Sequence, residues 1–77
     1  MEYVILVTTK DKDEAEKIAF NLVENKLVAC ANIIDKIQSI FSWEGNVENV
    51  NETLIILKTK KDLIDKVVDG VKSLHSY

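Results

Sequence analysis

Residues 27–43 read LVACANIIDKIQSIFSW, a run without proline or glycine that is far longer than an ordinary strand of about five or six residues. It predicts one long strand, or two that abut. Leu27, Ala29, Ala31 and Ile33 share a face, whereas Ile34, Ile37, Ile40 and Phe41 switch phase around Asp35 and Lys36. An extra residue there would bend the strand as a β-bulge does.

Upstream, residues 2–9 (EYVILVTT) are apolar at every position from 3 to 7, which suits a central strand covered on both faces. Asp11 with Glu14 three residues on is a capping-box-like start for a helix in which Ala15, Ile18, Ala19, Leu22 and Val23 form the apolar stripe. That helix should run to about Asn25, a residue type that tolerates the left-handed conformation at helix ends. Downstream, residues 44–51 (EGNVENVN) read as a hairpin connection and residues 52–60 (ETLIILKTK) as another strand apolar on both faces. Thr59, with Asp62 three residues later, is expected to open a second helix. Its stripe is Leu63, Val67, Val68, Val71 and Leu74, with Gly70 as a mildly unfavourable interior residue.

The order is therefore βαββα, an α+β fold with an antiparallel sheet, and residues 1–77 form a single domain without linker, repeat or low-complexity segment. Right-handed crossovers put both helices on one face of the sheet. The opposite face of residues 3–7 and 53–57 has no cover within the chain, yet both faces are apolar, with Tyr3, Ile5 and Val7 on one and Val4 and Leu6 on the other, and with Leu54 and Ile56 opposing Ile55 and Leu57. An apolar patch of that kind usually marks an interface, so the chain is expected to assemble with copies of itself. The order is also one strand short of the split unit βαββαβ, whose last strand pairs beside the first. The sequence ends at Tyr77, where that strand would begin, so either it is a fragment or the first strand is left as an edge.

At 77 residues with a lone cysteine, Cys30, the chain cannot form an internal disulfide, and partner subunits become the favoured source of extra stability. All ten basic residues are lysines and the net charge is -3. Without arginine forks and with a negative balance, nucleic acid is not an expected partner. There is no basic segment followed by an apolar core at the start, and the apolar runs are broken by charge, so no membrane span is expected and the cytoplasm is the expected location. An acylphosphatase-type enzyme shares the strand order but needs an arginine in its phosphate-cradling loop. An RNA-recognition sheet needs paired aromatics and a basic face, which residues 52–60 lack.

Residues 39–45, SIFSWEG, resemble the S-I-(Y/F)-x-W-E-G signature of the CutA divalent-cation-tolerance family. Residues 27–33 resemble that family's L-x-A-C-x-N-I strand, Lys58 and Thr59 its K-T pair, and Leu74, His75, Ser76 and Tyr77 the start of its L-H-P-Y-E-V-P-E segment. The motifs keep the family's order and spacing over essentially the whole chain. The resemblance implies a ferredoxin-like βαββα(β) subunit in a tight homotrimer whose long second and third strands pair across subunits. It also implies an association with copper and other divalent cations, and no established enzymatic activity. The sequence departs from the family at Asp35 and Lys36, where Pro-Gly is usual, and at Ser76, where the family has Pro. The family's last strand and C-terminal helix are missing from this chain.

Cys30 reads either as a small buried hydrophobe or as a soft thiolate ligand for copper. His75 reads as a cation at the C-terminal end of the second helix or as a metal ligand. Some family members carry a second histidine at the position of Leu74 and a cysteine at that of Val7, so a three-ligand site cannot be built here from those positions. Trp43 is an interface anchor or a stacking platform. Lys58 either snorkels or joins Trp43 and Tyr77 in a cleft between subunits that could take small anions or metabolites. Glu48, Asn49, Asn51 and Glu52 lack the spacing of a calcium loop and read as a solvated turn. The leading expectation is a homotrimeric divalent-cation tolerance protein binding copper or another divalent cation, without catalysis. The alternative is a trimeric small-molecule-sensing module.

Overall fold

Each element follows from the pattern of apolar residues along the chain. The computed structural model describes residues 2–75, arranged as β1 (Glu2–Thr9), α1 (Lys12–Glu24), β2 (Cys30–Trp43), β3 (Asn46–Lys60), a 3₁₀ turn (Lys61–Leu63) and α2 (Ile64–Leu74). The sheet order is β1-β3-β2, and both pairings are antiparallel. The expected α+β architecture in βαββα order is found.

Both helices cover one face of the sheet. Ala15, Ile18 and Leu22 of α1 and Val67 of α2 close on Ile55 and Leu57 of β3, all fully buried. Burial of a leucine or isoleucine side chain is worth about 1.5–3 kcal/mol, so this cluster dominates the stability of the domain. Half-buried Ile5, Val7, Ile33, Val71 and Leu74 pack around it. Gly70 has a packing role that propensity alone does not reveal: a Cβ there would lie 3.0 Å from Leu22 Cδ2. The glycine lets α2 approach α1 closely.

The first helix begins at the expected cap, where the Glu14 N–H donates to Asp11 Oδ1 at 2.8 Å. Glu14 Oε1 reaches back to the N–H of Lys10 at 3.3 Å, one residue beyond the ordinary capping box. At the other end Asn25 keeps φ -86, and its side chain donates to the Asn21 carbonyl at 2.8 Å. The left-handed residue is Lys26, at φ 59. That turn brings both Leu27 and Val28 to the core, leaves Ala29 exposed, and delays the regular alternation of β2 to Cys30.

Two further expected boundaries move. The hairpin connection is only Glu44 and Gly45, at φ 49 and 80, the pair of positive φ values that a two-residue turn of type I′ requires. Asn46 already pairs with Trp43, so β3 starts there and not at Glu52. The asparagines are poor strand formers, but cross-strand pairing with β2 overrides that weak preference. At the far end Thr59 does not open a helix. It is the penultimate residue of β3, and its hydroxyl donates to the Leu27 carbonyl at 2.7 Å.

The bend lies where the phase switch placed it. Ile34 faces Leu54 and Ile37 faces Glu52, so Asp35 and Lys36 together oppose Thr53. Lys36 takes φ 59, and Asp35 Oδ1 accepts from the Lys36 N–H at 2.9 Å and from Thr53 Oγ1 at 2.8 Å. The Thr53 hydroxyl holds the Asp35 carboxyl below the usual range against desolvation, the next largest effect, with lesser help from the Lys36 N–H and the charges of Lys36 and Lys12. A depressed carboxylate pKa stabilises the fold above the unfolded value, near pH 4, and that contribution is lost as pH falls through the folded value. Thermal midpoints of wild type and Asp35→Asn should therefore differ slightly at neutral pH and converge below about pH 4. A gap that stays constant with pH would show that the charge of Asp35 is not felt.

Candidate functional site

On the face away from the helices, cross-strand register aligns Val4, Lys58 and Cys30 in one row and Leu6, Ile56 and Asn32 in the next. Thr8, Leu54 and Ile34 make a third. Val4 is 59% exposed and Leu6 65%. Beyond the bulge the same face continues onto the two-stranded arm of residues 37–52 through Ile37, Phe41 and Trp43. The expected uncovered apolar face is present, and it extends along the long axis of a molecule measuring 39 × 22 × 21 Å.

Cys30 opens β2 on that face. It is half-buried and its thiol donates to Asn32 Oδ1 at 3.6 Å, so it does not sink into the core as a small hydrophobe would. His75 caps α2, as the helix-end reading expected; its N–H bonds to the Val71 carbonyl at 2.8 Å. The ring lies against the free edge of β1, with Nε2 2.6 Å from the Thr8 carbonyl. A carbonyl only accepts, so Nε2 carries the proton and a metal could use only Nδ1 while this bond lasts. Cys30 and His75 thus sit on opposite edges of the sheet with β3 between them. No group of three His, Cys, Asp or Glu residues that could hold a metal ion occurs among the described residues.

Lys58 and Trp43 are likewise apart. Trp43 pairs with Asn46 at the arm tip and Lys58 lies near the far end of β3, on the other side of the bulge. Lys58 is half-buried on the central strand, in the same row of the outer face as Val4 and Cys30. Trp43 is 61% exposed. Tyr77 lies outside the described residues. A cleft containing Trp43 and Lys58 can form only between copies. Glu48, Asn49, Asn51 and Glu52 are strand residues alternating between the faces of the arm, and Asn49 Oδ1 accepts from Gln38 Nε2 at 3.1 Å. They are not a turn.

Two shallow apolar grooves at the sheet edges have no counterpart in the sequence reading. One, of about 430 Å³, runs between β1 and α2 past Ile5, Val7, Val68, Val71 and His75. The other, of about 200 Å³, lies beside β2 and is bordered by Phe20, Val23, Ala31 and Ile33. Phe20 is 64% exposed and stands outside the expected stripe of α1. Its large apolar side chain off the stripe was the available signal.

Over residues 3–77 the sequence matches the model of the CutA1 divalent ion tolerance protein family. The chain belongs to that family. It is 44% identical over 77 residues to the divalent-cation tolerance protein CutA of Archaeoglobus fulgidus, covering 100% of this chain and 74% of that protein. The solved structure of the divalent cation tolerance protein from Thermus thermophilus is similar with a TM-score of 0.94 at 40% identity, covering 100% of this chain and 75% of the other. A chloroplastic CutA of Arabidopsis thaliana is 36% identical over 74 residues, 96% of this chain but 41% of that protein. The chain therefore spans less than half of the length of that plant relative and about three-quarters of the archaeal and bacterial ones. These CutA likenesses make the fold ferredoxin-like, as the motifs in residues 27–33 and 39–45 implied. No described helix is long and apolar enough to cross a membrane.

Proposed function

We propose that this chain is the subunit of a homotrimeric divalent-cation tolerance protein that binds copper or another divalent cation and has no catalytic activity. The observation that carries the reading is the outer sheet face, where Val4 and Leu6 stand more than half exposed beside Ile34, Leu54 and Ile56. Such a face in a soluble protein is covered by a partner, and the family resemblance supplies the number of subunits. An isolated two-stranded ribbon is marginal in water, so an arm bearing Phe41, Trp43 and Val50 on one side and Ile40 and Val47 on the other also favours contacts with other copies. The free edge of β1, with its groove, suits a further strand. We place the protein in the cytoplasm, where a thiol such as Cys30 stays reduced.

Because one chain separates Cys30 from His75, cation binding would draw on ligands from more than one copy, with His75 coordinating through Nδ1. The test is titration of copper(II) at about pH 7, close to the ordinary histidine pKa of roughly 6.5. His75→Ala should weaken binding at least about tenfold and Cys30→Ala should leave it nearly unchanged, because a thiol must lose its proton before it can coordinate. Loss in Cys30→Ala with retention in His75→Ala would reverse the ligand assignment. No change in either would make the binding nonspecific. The shallow apolar grooves at the sheet edges favour a second reading, a sensing module with small molecules in clefts between copies. Metals and nucleotides titrated in parallel against the assembled protein separate the two.

A further inference from the structure

We propose that Asp35 is a positioning residue that anchors the arm of residues 37–52 to the body of the domain. The sheet narrows from three strands to two at Thr53, which pairs with Thr9, the last residue of β1. The bulge of Asp35 and Lys36 opposes that same threonine. Body and arm therefore meet at one residue, and Thr53 is 1% exposed.

At this junction a single carboxylate oxygen makes two bonds. Asp35 Oδ1 accepts from Thr53 Oγ1 at 2.8 Å and from the Lys36 N–H at 2.9 Å. The first satisfies a buried hydroxyl on the body side, and the second stabilises a lysine held at φ 59 on the arm side, a conformation that costs a non-glycine residue free energy. Thr9, the partner of Thr53, donates through its hydroxyl to the Asp11 carbonyl at 2.9 Å, so the start of α1 is close to the junction. Past it, only Ile37, Ser39 and Glu52 are even half-buried, and no helix among the described residues supports the arm. The two bonds to Asp35 hold the angle at which the arm leaves the body, and with it the place to which the tip residue Trp43 is delivered. This follows from the geometry of one chain and does not depend on the trimer.

Amide hydrogen exchange of the full chain tests it, with molar mass measured for each variant so that changes of assembly are separated from changes of the arm. In Asp35→Ala, exchange of the amides of residues 37–52 should rise about tenfold, the effect of losing a hydrogen bond from a charged group to a buried partner. Amides of Ile55 and Leu57 should change by less than about twofold, because local opening is independent of the core. Trp43 is the sole tryptophan, so its fluorescence anisotropy should fall in parallel. Asp35→Asn keeps the acceptor oxygen and should restore most of the wild-type behaviour. Thr53→Val should reproduce the pattern with its own arm-limited increase, and it decides the question if Asp35→Ala fails to fold. Exchange that rises equally in arm and core, or does not change, would overturn the proposal.

Discussion

Leu6→Asp is expected to shift the mass of the protein in light scattering at micromolar concentration from that of three chains to that of one. Leu6 is 65% exposed in the single chain, so the substitution should alter the stability of the isolated subunit by no more than about 0.5 kcal/mol. In an assembly the same site would be a dry contact. A carboxylate buried there without a partner costs several kcal/mol, enough to empty the interface. Trp43→Ala acts in the same direction through lost contact alone, at about 2 kcal/mol or more for a buried aromatic anchor. Circular dichroism should show that the dissociated Leu6→Asp subunit keeps its secondary structure. A Leu6→Asp protein of unchanged mass would mean that this face is not an interface and would sink the trimer reading with it.

The second large effect is in the core. Leu22 is fully buried between Ile18, Val67 and the sheet, and Leu22→Ala should destabilise the domain by about 3 kcal/mol through lost transfer energy and the cavity left behind. For a domain of this size that corresponds to a thermal midpoint lower by roughly 15 °C. Leu22 is also the side chain that a larger residue at position 70 would meet, at 3.0 Å. Gly70→Ala should therefore gain little in wild type, because the helix preference of alanine over glycine, about 1 kcal/mol, is offset by crowding against an immobile leucine. In the Leu22→Ala background the crowding is gone, and Gly70→Ala should recover up to about that amount. Equal effects of Gly70→Ala in both backgrounds would show that the close helix approach is not limiting.

Much of this was legible in residue order alone. The run at residues 3–7, the stripe of α1 and the repeated apolar pairs of β3 fix strand, helix and strand because side-chain direction has period two in one and 3.6 in the other. The motif at residues 39–45 carried the family, and the phase switch at Asp35 and Lys36 carried the bulge, since an extra residue must invert the faces beyond it. The edges of elements were less legible. Three asparagines in residues 44–51 suggested a loop, yet one pair of positive φ values at Glu44 and Gly45 completes the reversal and frees the asparagines to pair. Thr59 had the spacing of a helix cap, but pairing with Tyr3 kept it in the sheet and turned its hydroxyl to Leu27.

The candidate site depended most on tertiary structure. Sequence could nominate Cys30, His75, Trp43 and Lys58 by residue type, because the affinity of a thiol or imidazole for a metal and the anchoring power of an indole are properties of the side chain itself. It could not say which of them meet. That was decided by the placing of β3 between β1 and β2, which separates Cys30 from His75, and by the length of the β2–β3 arm, which separates Trp43 from Lys58. Proximity between residues far apart in the chain is set by strand order and register, and these arise from the packing of the whole domain and not from any local run of residues.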